Sequence, residues 1–177
     1  MQQHIYKASL KRIISQTISI WAFVAIQIGA NIFIMPRLIN HGQYWAIAFL
    51  NVVLGALSVP SVYIFLNYYR HSAKKEFIIS YNSLKMMDKK TGIVVEILST
   101  EIDRIEFHQN LYSYKRVMNL SLWRDHEFFC FIDKAGKKII ITSYIMDITD
   151  FWMDSLTRRV SSDKLVKFEK FIPLIKE

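Results

Sequence analysis

Two regimes of patterning divide the chain. Residues 13–36 and 38–69 contain no Asp, Glu, Lys or Arg, and Arg37 alone separates the two apolar runs. Each exceeds the roughly 20 residues that a helix needs to cross a hydrocarbon layer of about 30 Å. They predict a transmembrane hairpin with spans near 14–34 and 44–67 and a short external connection at 36–43. A cleavable leader fits less well, because the first apolar stretch is too long, no Ala-x-Ala site follows it and a second span begins at once.

Beyond Arg70 the period shortens. Strands are predicted over 77–81, 84–88, 93–98, 102–107, 111–120, 127–133 and 138–142, where β-branched and aromatic residues are bounded by turn residues. Gly92 and Gly136 fall where hairpin loops often require positive φ. Ile148, Phe151, Trp152, Leu156 and Val160 then recur at helical spacing, with Asp147, Asp150 and Asp154 toward the start and Arg158 and Arg159 at the end. This predicts a C-terminal helix covering the open side of the strand layer. The segment 164–175 reads as a final docking helix or an interfacial amphipath, ended by Pro173. The expected fold class is α+β, with residues 1–70 as the hairpin and 71–177 as a cytoplasmic domain.

Charge changes the picture chiefly at the membrane flanks. All 15 acidic residues lie after position 75, so residues 1–70 carry +5 of the net +8. Lys7, Lys11 and Arg12 precede the first span, and Arg70, Lys74 and Lys75 follow the second, which predicts that both ends face the cytoplasm. The basic excess is therefore an orientation signal more than a nucleic-acid footprint. The single Cys130, in the apolar run Phe128-Phe129-Cys130-Phe131, reads as a small buried hydrophobe and fits a reducing compartment.

Within the spans, Gln27 and Asn31 share one helix face, Ala22, Ala25 and Gly29 form a small-residue stripe roughly opposite, and Asn51 and Gly55 repeat the amide–small pairing. An amide-to-amide contact between the helices is expected, with self-association through the unused stripe. The five histidines have no zinc-like spacing, Glu101, Asp103 and Glu106 read as a solvated strand face, and no nucleophile or phosphate-loop motif is present. No metal, cofactor or enzymatic activity is expected. The remaining signal is a set of basic doublets, of which Lys74, Lys75, Lys89, Lys90, Lys137 and Lys138 are the candidates for lipid-headgroup binding.

About seven antiparallel strands capped by a helix, after two apolar spans, resemble the bacterial pleckstrin-homology-like (PH-like) membrane proteins. The likeness rests on that order, on Leu98-Ser-Thr-Glu-Ile-Asp-Arg-Ile-Glu-Phe107 and on Asp133-Lys-Ala-Gly-Lys-Lys-Ile-Ile-Ile-Thr-Ser143 leading into the helix. It implies a PH-like β sandwich or barrel at the bacterial inner membrane, binding a protein partner or lipid headgroups without catalysis. A structural subunit of a larger membrane complex is the alternative. The stretch 102–107 is also similar to a strand of LytTR-type DNA-binding domains, but only seventeen residues follow Val160, too few for that fold's later strands.

Overall fold

A computed structural model describes residues 4–110, 126–146, 162–170 and 173–175. A short strand β1 (His4–Lys7) leads into helix α1 (Leu10–Phe33), a short helix α2 (Met35–Asn40) and the long helix α3 (Tyr44–Ser72). Strands β2 (Lys75–Ile79), β3 (Ser83–Asp88), β4 (Val94–Leu98), β5 (Ile102–Asn110), β6 (Phe128–Asp133), β7 (Lys138–Thr142) and β8 (Leu165–Lys170) follow. They form two four-stranded sheets, ordered β1-β2-β3-β4 and β7-β6-β5-β8.

The apolar runs do form helices of about the expected extent, and α3 continues through Pro60. Their surfaces remain largely uncovered. Only 11% and 17% of their most apolar windows are buried, and Trp45 and Val52 are 75% and 70% exposed. By length and composition both helices could cross a membrane, and neither is the enclosed core helix of a water-soluble domain.

The expected amide-to-amide contact is absent among the described residues. Asn31 donates to the Gln27 carbonyl of its own helix at 2.8 Å, while Asn51 donates to the Ile47 carbonyl at 3.1 Å and approaches Met35 Sδ. Local back-bonding satisfies each amide before the partner helix can. Nor does the hairpin use its glycines for close approach, since a Cβ added at Gly29 or Gly55 would meet nothing within 4 Å. Ala25 is exposed. Aromatic packing joins the helices instead, with Trp21 edge-on to Phe65 at 5.3 Å.

The sheets enclose one core. Phe77, Ile79, Leu84 and Ile97 from the first meet Ile102, Ile105, Phe107, Phe129, Phe131, Ile139 and Ile141 from the second. β6 contributes twice, because its uninterrupted apolar sequence is buried on both faces. Phe129 and Phe131 point into the inter-sheet core, whereas Phe128, Cys130 and Ile132 point outward against Ile64 and Tyr68 of α3. The turns behave as expected, with φ of +71° at Gly92 and +83° at Gly136.

Two strands were not foreseen. β1 pairs antiparallel with β2 in the register His4↔Ile79 to Lys7↔Glu76, so a strand N-terminal to the hairpin belongs to the same sheet as the strand that follows it. β8 replaces the expected helix or amphipath over 164–175. It runs parallel to β5, from Ile105↔Leu165 to Asn110↔Lys170. The edge of β5 offers unpaired backbone groups, and the alternating Val166, Phe168 and Lys170 satisfy them better than a turn and a half of helix would. The expected strand over 111–120 and the expected helix around Ile148–Val160 lie outside the described residues.

β8 is anchored by an aromatic sandwich. The His108 ring stacks between Phe128 and Phe168, with centroids 4.3 and 4.8 Å away and planes 10° apart in both pairs. Its Nε2 donates to Glu106 Oε2 at 3.1 Å, and Arg104 holds the other oxygen of that carboxylate at 2.9 Å. Burial lowers the imidazole below its ordinary 6.5, against the upward pull of Glu106 and aided by the Lys170 charge. For Glu106, burial pushes the carboxyl up, but the Arg104 and His108 hydrogen bonds outweigh it and leave the group below its ordinary 4.5.

Two outcomes are expected from these contacts. Phe131→Ala, which empties a fully buried site, should lower stability by about 3–5 kcal/mol, read as a shift in the denaturation midpoint of the full chain. The unfolded imidazole of residue 108 takes up its proton near pH 6.5 while the folded one resists, so stability is full above that value and falls as the pH drops toward the folded pKa. His108→Phe keeps the stack and should flatten the stability profile as the pH falls through the ordinary imidazole value of 6.5. Parallel profiles for the two proteins would remove the imidazole from the account.

Candidate functional site

The helices and the sheets meet at one end of the domain. There α1 and α3 are tied to β7 and to the turn after it. Arg12 donates to the Ile145 carbonyl, Gln16 donates to the Ser143 carbonyl at 3.2 Å, and the hydroxyls of Ser72 and Thr142 share a hydrogen bond. The C-terminal segment is fixed to the same place. Tyr68 donates to the Pro173 carbonyl at 2.9 Å, and the Asn67 amide pairs with Ile175 in both directions, at 3.0 and 3.2 Å.

Four of the six candidate lysines come together here. Lys75 faces Asp88 across the β2–β3 ladder, and the Lys89 amide donates to the Lys74 carbonyl at 2.8 Å. Asp88 shapes the turn that carries the second doublet, its Oδ1 accepting from the amides of Lys90 at 2.7 Å and Thr91 at 3.3 Å. The Lys90 amide is the main reason that the Asp88 carboxyl sits below its ordinary value, and the Lys75 and Lys90 charges reinforce it. Lys89 forms an ion pair with Glu76, and Lys75 Nζ lies 3.2 Å from His71 Nε2. Lys74 and Lys90 are exposed.

Lys137 and Lys138 lie elsewhere. Lys138 opens β7 and Lys137 precedes it; the other end, Thr142, is the one bonded to α3, so about 13 Å of extended chain separates Lys138 from the junction. Lys137 Nζ donates to the Glu96 carbonyl of β4 at 2.8 Å. Of the hairpin residues singled out by sequence, Gln27 and Gly29 are half-buried in α1, Asn31 is exposed, and Asn51 and Gly55 are half-buried in α3. None of them lies at the junction.

A cavity of about 610 Å³ opens where α3 meets the strands. Tyr63, Leu66, Asn67 and Arg70 line it at i, i+3, i+4 and i+7, one stripe of α3, together with His71, Lys75, Asp88 and Ile175. Sequence reading missed Asn67, Asp88 and Ile175. Asn67 ended a predicted span, Asp88 ended a predicted strand, and the site needs the β2–β3 register and the C-terminal clasp before its members meet.

The other titratable groups offer little for catalysis. Arg104 bridges Asp103 and Glu106 on a largely exposed strand face, as an ordinary solvated ion-pair set. Burial pushes the Cys130 thiol up to about 11, the reverse of what a nucleophile requires. His126 is fully buried, 2.9 Å from the Tyr144 hydroxyl and edge-on to Tyr68 at 5.2 Å, and burial raises the Tyr144 phenol. Among the described residues no three His, Cys, Asp or Glu side chains converge as a metal site would require.

Residues 5–152 match the sequence profile of the PH domain family. No curated protein and no solved structure matches the chain. The matched region begins inside β1, takes in both long helices and runs past β7, so it covers every strand but β8 and most of the core between the sheets. The segment similar to LytTR-type domains is β5, paired between β6 and β8 in the second sheet. On a match of this extent, the chain belongs to the PH domain family.

Proposed function

We propose that this is a non-enzymatic membrane protein of the bacterial inner membrane, whose PH domain is held against the cytoplasmic surface and binds lipid headgroups there. One observation carries the reading: both apolar helices join the domain at the end where Lys74, Lys75, Lys89 and Lys90 cluster. A chain that inserts α1 and α3 into a bilayer brings this basic end to the headgroup layer without further choice of orientation. Each lysine near an anionic surface adds about 1 kcal/mol of attraction. The exposed apolar surface of the helices supports insertion, because a patch of that extent is costly in water and ordinary in lipid.

Orientation follows from the flanks. Lys7, Lys11 and Arg12 before α1 and Arg70, Lys74 and Lys75 after α3 lie on one side, with only Arg37 on the other, as expected for cytoplasmic ends. A protein partner at the same surface is the second reading, supported by the exposed Ile93, Val94 and Leu98 in and beside the edge strand β4.

Three measurements test this. The chain should stay in the pellet after alkaline carbonate extraction. A cysteine replacing His41 should react with an impermeant maleimide on intact cells, and one replacing Lys134 only after permeabilisation, with Cys130 silent. In nanodiscs containing anionic lipid, amides around 74–76 and 88–92 should exchange more slowly than in nanodiscs of phosphatidylcholine alone. Lys→Gln at the four clustered positions should remove that difference, by about fivefold in the bound population per lysine. Labelling of Lys134→Cys from outside would overturn the orientation, and equal exchange in both lipids would overturn headgroup binding.

A further inference from the structure

The cavity at the junction is ordered along its length. From Tyr63 to Arg70 the α3 stripe rises by about 10 Å and passes from a phenol and a leucine, at the end toward the apolar span, to a guanidinium at the domain end. At that domain end the lining carries both signs of charge. Arg70 is exposed and makes no ion pair among the described residues, and Lys75 is steered toward the cavity by His71. Opposite them is the carboxylate of Asp88. Its Oδ1 is occupied by two turn amides, whereas its Oδ2 accepts no hydrogen bond among the described residues. Asn67 is engaged with the wall of the cavity, because both ends of its amide hold Ile175. The volume, about 610 Å³, falls in the range of about 300–1,000 Å³ typical of small-molecule clefts.

We infer that this cavity is a site for one phospholipid whose headgroup carries a phosphate and a primary ammonium, the ethanolamine class. The inference rests on the membrane reading above and adds a ligand to it. Arg70 and Lys75 take the phosphate, Asp88 Oδ2 accepts from the ammonium, and the first carbons of the tails run along Leu66 and Tyr63 toward the apolar span. A purely anionic headgroup satisfies the two cations but brings Asp88 no ammonium of its own, leaving it only Lys75 across the ladder, itself drawn to the phosphate, and Lys90. Choline restores the positive charge but has no N–H to donate, so it loses the charge-assisted hydrogen bond. The site therefore discriminates between two lipids of equal net charge by a single proton donor.

The test uses the full chain in mild detergent, stripped of lipid and then offered phosphatidylethanolamine, phosphatidylglycerol and phosphatidylcholine in equal amounts, with the retained lipid read by native mass spectrometry. Phosphatidylethanolamine should be retained over each of the other two by about tenfold, the effect of one charge-assisted hydrogen bond. Asp88→Asn keeps a carbonyl oxygen for the Lys90 and Thr91 amides, so the turn persists, and it should bring phosphatidylethanolamine down to the level of phosphatidylcholine. Arg70→Gln should lower all three lipids together. Equal retention by the unmodified chain, or an undiminished preference in Asp88→Asn, overturns the assignment. Displacement of the lipid by free phosphoethanolamine would also overturn it, in favour of a soluble ligand. A chain that resists carbonate but shows no lipid preference loses only this inference, whereas one released by carbonate loses the membrane reading and this inference together.

Discussion

A single strand with no solvent face holds this molecule together. β6 supplies Phe129 and Phe131 to the core between the sheets and, from alternate positions, Phe128, Cys130 and Ile132 to the contact with α3. Because side chains alternate across a strand, any shift of register would exchange the two sets and disrupt both packings at once. The helices are therefore docked on the outer face of the second sheet, and the hydrogen bonds from Arg12, Gln16, Tyr68 and Ser72 fix that docking at its rim. A flexible tether would leave the orientation of the domain open. Here the direction of the basic end is a property of the fold.

That rigidity gives the charge distribution its meaning. Lysines in hairpin turns are usually just solvated, and Lys137 and Lys138 fit that description, at the far end of β7 with one of them bonded to a backbone carbonyl. Lys74, Lys75, Lys89 and Lys90 are chemically no different, yet strand pairing gathers them at the point where the apolar helices arrive. Asp88 is needed for this, since its side chain closes the turn that presents Lys89 and Lys90. The same carboxylate then faces the cavity, so one residue serves both the backbone and the site.

Much of the architecture was legible in the sequence where long or strongly patterned segments encoded it. The two uncharged runs became α1 and α3, and six of the predicted strands appear close to their expected bounds. The pattern failed where an element was short or depended on a distant partner. His4–Lys7 is too brief to show a period, and its pairing with β2 crosses the whole hairpin. Leu165–Lys170 carries apolar residues that suit a helix or a strand equally, and the open edge of β5 decided between them. Asn31 and Asn51 looked like interhelical contacts because the spacing argument ignored the carbonyls one turn back in their own helices. Within the candidate site, the cations could be read from flank charge, whereas Asn67, Asp88 and Ile175 could be joined only through tertiary structure.

The origin of β1 ahead of α1 has a bearing on assembly. During synthesis those four residues emerge before the entire hairpin and must wait for it before their neighbour, β2, exists. On the proposed membrane reading, a chain in which only one of the two helices crossed the bilayer would leave the early strand and its mate on opposite faces, and the sheet would lack its outermost member. On that same reading, completion of the β layer would report correct threading, because only a polypeptide with both strands on one face can seal the edge of β2.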